Sequence, residues 1–261
     1  MYPQYSPQQQ QQQRYGATSV AVGPAKLAFL RKVYALFTTS IVAAAAGAMF
    51  ALYAGAGSSA ATIQLSDGTV RTIPPLVALL SSGGFITWII IMAVLFGAFF
   101  GAQMVSKTPG VNVIALHGAA FISGVFVAPM IFFALLMASQ GQTLVASPVR
   151  DAFLLSSIGF AGLSGYTLIT KKDFSYLRGV LSMGFFVVLG GLVLTFFLHS
   201  SVFALAIDSV AVLLFGGYIL YDTSKILRSG NDNPVGAAIL LYLDFFNLFI
   251  FLLSILSSRR N

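Results

Sequence analysis

Seven stretches of this chain are each long and apolar enough to cross a lipid bilayer, and that limits the fold more than any other feature. About 20 apolar residues cover the roughly 30 Å of hydrocarbon in a membrane. Runs approaching that length lie near 33–56, 83–105, 111–138, 153–170, 180–198, 202–227 and 235–256. Inside lipid every backbone amide and carbonyl must be satisfied within its own segment, so runs this long are expected as helices. Composition agrees: 57% of residues are hydrophobic and only 8% charged, whereas soluble domains average about 25% charged. The expected fold class is an all-α membrane protein, a seven-transmembrane helix bundle over 24–261. Residues 1–23, rich in Gln, Pro, Tyr and Ser with an unbroken Gln run at 8–13, read as a disordered cytoplasmic tail. That tail lacks the basic start, short apolar core and small-residue cleavage site of a signal peptide, so the first run is expected to stay in the membrane.

Charge placement sets an expected orientation. The formal net charge of +7 comes from Lys and Arg scattered between apolar runs, with no basic groove or stripe for nucleic acid. On one side fall Arg14, Lys26, Arg31, Lys32, Lys107, Lys171, Lys172, Arg178, Lys225 and Arg228; on the other fall Arg71, Arg150, Arg259 and Arg260. Cytoplasmic loops hold the excess of Lys and Arg, so the N-terminus is expected in the cytoplasm. Arg259 and Arg260 fit poorly, and six spans plus a re-entrant segment would remove that anomaly. With no Cys, disulfides and thiolate metal sites are excluded. Glycines in GAFFG (Gly97, Gly101), GFAGLSG (Gly159, Gly162, Gly165) and the pairs Gly190-Gly191 and Gly216-Gly217 read as sites where helix backbones approach closely. Pro129 interrupts the third run and is expected to kink it or mark a packing defect.

The candidate functional residues lie at 215–258, where two apolar runs joined by a polar turn each carry one carboxylate, Asp222 and Asp244. An acid inside hydrocarbon is expensive and marks function by default. Each stands 11 residues from Asn233 in the turn, so an antiparallel hairpin puts both at nearly the same depth. Two carboxylates brought that close cannot both ionise cheaply and titrate as a unit. On the seventh run Leu240, Asp244, Asn247, Phe251, Ser254 and Ser258 share one helical stripe, which is expected to face protein. Several other residues are weighed beside the pair. Lys225, three residues beyond Asp222, would make Asp222 a mere interfacial ion pair if it reached it. Asp208, 14 residues before Asp222 on the same face, is either a cap near a helix start or a step on an ion path. His117 is either a second titrating group at similar depth or a packed, hydrogen-bonded side chain. Tyr221, preceding Asp222, is a supporting polar residue.

These motifs carry a resemblance. FLRKVYAL before the first run, SGYTLITKKDFSYLRG after the fourth, GGYILYDTSKI on the sixth and LLYLDFFNLFIFLLSIL on the seventh resemble the Bax inhibitor-1 family of membrane proteins, of the bacterial type. The resemblance spans roughly residues 27–256. It implies a bundle with the seventh helix central. It also implies an aspartate pair, here Asp222 and Asp244, acting as a proton-sensitive latch on a calcium leak. Calcium is then the permeant ion, touching the two carboxylates in passing, with no resident cofactor or metal. Hard cations take oxygen ligands, which such a bundle supplies. Some relatives hold the aspartates with an Arg on the second helix; the run 83–105 has no Arg or Lys, and Lys107 and His117 are the nearest cations. Some bacterial relatives modulate a membrane-bound protease, so such a machine is an alternative partner. The expected location is the bacterial inner membrane, and no enzymatic activity is expected. An intramembrane aspartyl protease is a remote alternative, because Asp244 lies in LLYLD rather than a GxGD context and no PAL follows.

Overall fold

In the computed structural model the described residues are 23–54, 61–65, 68–230 and 232–258. The expected tail, apart from Gly23, lies outside them, as do Arg14, Arg259 and Arg260. Seven helices are long and apolar enough to span a membrane: α1 (Pro24–Tyr53), α3 (Gly84–Met104), α4 (Val111–Ser139), α5 (Pro148–Thr170), α6 (Arg178–Leu198), α7 (Ser201–Arg228) and α8 (Pro234–Ser257). The chain is an integral membrane protein with an all-α transmembrane bundle, and the seventh run is a helix of full length rather than a short re-entrant piece.

Two elements depart from the hydropathy reading. Between α1 and α3 the chain forms an antiparallel hairpin of β1 (Ala61–Gln64) and β2 (Val70–Ile73), in register Ala61↔Ile73, followed by the short helix α2 (Pro75–Ser81). At the other end of α1, the helix starts nine residues before the apolar run begins. Pro24 suits the first helical turn, where no amide partner is needed. Lys26, Arg31 and Lys32 then carry the helix past the hydrocarbon.

The core gathers around α8. Half of its most apolar window is buried, against a third or less in every other span, and it packs on α1, α3, α4, α5 and α7. Aromatic rings fill the gaps: Phe37 of α1 stacks on Phe160 of α5 at 4.5 Å, and Phe245 of α8 meets both edge-on at 5.7 and 5.9 Å. On the opposite side Phe251 stacks on Phe215 of α7 at 5.8 Å.

Among the described glycines, those that meet the backbone of another helix lie between α1 and α4, and they are not those singled out from the sequence. A Cβ placed on Gly47 would overlap the Phe121 carbonyl, and one on Gly124 would overlap the Ala44 carbonyl. Each helix therefore sets a glycine against the other's backbone, three residues beyond the carbonyl it offers. Gly97, Gly101, Gly162, Gly165 and Gly190 face open space instead, whereas Gly191 and Gly217 receive side-chain tips from Ile207 and Leu181. Pro129 leaves α4 continuous from Val111 to Ser139, although it cannot donate to the carbonyl four residues back.

Candidate functional site

The site is held by the turn between α7 and α8. Asn233 caps α8, its side-chain oxygen accepting from the Gly236 amide at 2.8 Å, and its Nδ2 donates to Ser106 Oγ at 3.0 Å. Lys107 pairs with Asp232 at 3.0 Å, both exposed, and that contact holds the Asp232 carboxyl below its ordinary range. The final carbonyls of α7 have no intrahelical partner, and Lys26 of α1 answers them. Its ammonium is buried and donates to Ile226 O at 2.7 Å and Ser229 O at 2.8 Å. Arg228 donates to Ser224 Oγ at 2.6 Å and to Lys171 O at 2.7 Å in the loop before α6. Three neighbouring segments thus fix the hairpin end, and about three helical turns from Asn233 stand the carboxylates.

Asp222 and Asp244 are 6% and 4% exposed. They line one cavity of about 340 Å³ between α3, α6, α7 and α8, walled by Leu95, Phe96 and Phe99 of α3, Phe185 of α6, and Tyr218 and Asn247 beside the acids. They lie near enough for the charge of Asp222 to act on Asp244. Among the described residues neither carboxyl receives a protein hydrogen bond, and Asp244 Oδ2 is buried without any donor. No Lys or Arg among the described residues lines the cavity.

The other candidates separate clearly. Asn247 shares the cavity, but its amide donates to the Leu243 carbonyl of its own helix at 2.8 Å. Lys225 is exposed, 5.9 Å over the Tyr221 ring, and acts on Asp222 without an ion pair to it among the described residues. The interfacial ion-pair reading of Asp222 is therefore corrected: the acid points inward while Lys225 follows the lipid and water side. Tyr221 turns the same way as Lys225 and does not line the cavity. Asp208 is no cap, since Ser200 caps α7 by accepting from the Phe203 amide. It is buried and accepts from Ser254 Oγ at 2.5 Å, on the α8 stripe, about 21 Å along α7 from Asp222. His117 is likewise no part of the cavity. Its Nδ1 donates to the Val113 carbonyl at 2.8 Å, and its Nε2 lies 2.9 Å from Thr39 Oγ1.

Tyr218 is the cavity residue that the sequence reading passed over. It stands one turn before Asp222 and donates from its hydroxyl to Leu181 O of α6 at 3.1 Å. The signal was present in YILYD as an i, i+4 pair with Asp222. Lys26 was counted only as a topology charge, because nothing local distinguishes a buried helix-end cation from a solvated one.

Residues 26–261 match the protein family described as inhibitor of apoptosis-promoting Bax1. An uncharacterized protein of Campylobacter jejuni is 33% identical over 230 residues, 88% of either chain. Protein lifeguard 4 of Mus musculus is 27% identical over 234 residues, 89% of this chain and 86% of the relative. The modulator of FtsH protease YccA of Escherichia coli is 36% identical over 125 residues, covering 43% of this chain and 57% of the relative. With nearly the whole membrane domain matched, the chain belongs to the Bax inhibitor-1 family.

Proposed function

We propose that this protein is a pH-sensitive calcium leak of the bacterial inner membrane, its N-terminus in the cytoplasm, with Asp222 and Asp244 as the gate. One observation carries the reading: two buried acids face a single apolar cavity, with no cation lining it and no protein donor on either among the described residues. Sharing a proton makes such a pair tolerable in lipid and bridges α7 to α8. Loss of that proton sets like charges against each other and weakens the contact. The groups facing the pair are Tyr218, Asn247 and apolar side chains of α3 and α6, with Lys225 acting from outside. Calcium is the cargo. A lasting calcium site takes six to eight oxygens, whereas among the described residues no cluster of three or more His, Cys, Asp or Glu forms. Passing contact with two carboxylates suits a leak better than storage.

The test is flux into liposomes holding a calcium-sensitive dye. Asn keeps the shape of a protonated Asp and cannot ionise. Asp222→Asn and Asp244→Asn should each alter the basal leak, and normal flux from the double variant sinks the proposal.

A second reading has support of its own. The relative in Escherichia coli is named a modulator of FtsH protease, and this chain would act in the same way if it bound a membrane-bound protease. Deleting residues 1–22 while measuring flux and protease co-purification in parallel separates the two: loss of binding with unchanged flux favours the partner role.

A further inference from the structure

A second and larger cavity, of about 640 Å³, lies on the other side of α8 from the aspartates, within the size range of small-molecule sites. Its walls come from the last part of α1 (Ile41, Ala45, Tyr53), the second half of α4, the first turns of α5 (Arg150) and the middle of α8 (Tyr242, Phe249). From Ile41 to Tyr53 the α1 wall runs twelve residues, about 18 Å. One leaflet of hydrocarbon is about 15 Å deep, half of the bilayer core. The cavity therefore runs from the interface to the bundle centre along the direction of a lipid tail. Its rim residues Tyr53 and Arg150 are exposed. Tyr is enriched at the headgroup level, and Arg matches phosphate geometry better than any other side chain. The Arg150 Nε donates to Asp151 at 2.8 Å, and no acceptor for its terminal nitrogens is found among the described residues.

We infer that this cavity binds one phospholipid, a single acyl chain lying between α1 and α5 with the phosphate held by Arg150. The commitment to lipid rests on three features together: a wall about as long as one leaflet is deep, an apolar lining ending in a tyrosine at the rim, and one guanidinium at the headgroup level with donors to spare. This site is independent of the calcium reading and stands or falls apart from it.

The test is native mass spectrometry of the full chain, delipidated in detergent and then mixed with dioleoylphosphatidylglycerol or dioleoylphosphatidylcholine. The wild-type chain should retain one lipid. Ala45→Trp places an indole in the cavity from an exposed position and should abolish retention of both lipids. Arg150→Gln, at an exposed helix start, should lower phosphatidylglycerol retention by about tenfold, the scale of a lost charge-assisted contact. Thermal unfolding of both variants is measured alongside, and Arg150→Gln should unfold with the wild type. Equal retention by all three chains overturns the proposal, as does a chain dimer appearing in place of lipid adducts. Retention that ordinary detergent displaces equally from wild type and Arg150→Gln means an adventitious additive only, and overturns it too.

Discussion

Replacing Asp244 by Leu should stabilise the bundle while destroying its titrating pair. Asp244 is 4% exposed and its Oδ2 has no donor. A buried polar group left unsatisfied costs about 1–3 kcal/mol. Leu removes that cost and adds apolar contact with Phe99, Tyr218 and Phe246 around the cavity. At about 2–4 °C per kcal/mol for a chain of this size, the unfolding midpoint should rise by roughly 2–12 °C. Trp88, the single tryptophan, reports unfolding by fluorescence, since it packs 5.3 Å from Phe196 and so joins α3 to α6. Asp222→Leu should behave in the same direction. The double variant should gain less than the sum of the two, because removing either acid already relieves the other. A drop of more than about 1 kcal/mol for Asp244→Leu made in the Asp222→Leu background, where no partner acid remains, would show a carboxyl held by hydrogen bonds to other groups. In that case the acid is ordinary architecture and the gate has no basis.

Three further outcomes follow from the packing. Gly47→Ala should destabilise by about 1–3 kcal/mol through overpacking against the Phe121 carbonyl, whereas Gly97→Ala, facing open space, should be neutral or better; equal thermal shifts would refute the α1–α4 contact. Lys26→Met removes the ammonium from the Ile226 and Ser229 carbonyls, leaving Ile226 O only the Ser229 hydroxyl at 3.0 Å, and should cost about 1.5–3 kcal/mol, the worth of hydrogen bonds to a charged group, read as a lowered unfolding midpoint. Asp173 accepts from the Ser175 amide at 2.8 Å, which holds its carboxyl below the ordinary range. Its contribution to the order of the loop before α6 is then full above the unfolded value near 3.9 and is lost as pH falls through the lower folded one. Hydrogen exchange at the Ser175 amide, corrected for intrinsic rate, should quicken on acidification below about pH 4 in the wild type but not change with pH in Asp173→Asn.

Hydropathy alone carries the spans, because length and apolarity are local properties that lipid enforces segment by segment. The hairpin offset was legible for the same reason: Asn231 to Pro234 punctuate the chain, and helix rise does the rest. What the sequence hid depends on partners distant in the chain. Gly47 shares a spacing of four with Ala43, Ala51 and Gly55, but small residues fill so many positions of that alanine-rich stretch that only the crossing of α1 with α4 singles it out. GAFFG has the spacing but faces outward. The hairpin at 61–73 is too short and too polar to register beside twenty-residue runs. For the site, the inward stripe of α8 was readable as periodicity, and Asp244, Asn247 and Ser254 follow it. Which acid pairs with which group was not: Asp208 found Ser254, and His117 found Thr39, each across an interface that no one-dimensional pattern encodes.

The pH profile of calcium entry into proteoliposomes bears most directly on the shared proton. A latch formed by Asp222 and Asp244 requires the wild-type leak to change with pH in one transition, and requires that transition to vanish in either single Asn variant. A transition that survives unaltered in the double variant would place proton sensing elsewhere and leave the pair without a gating role.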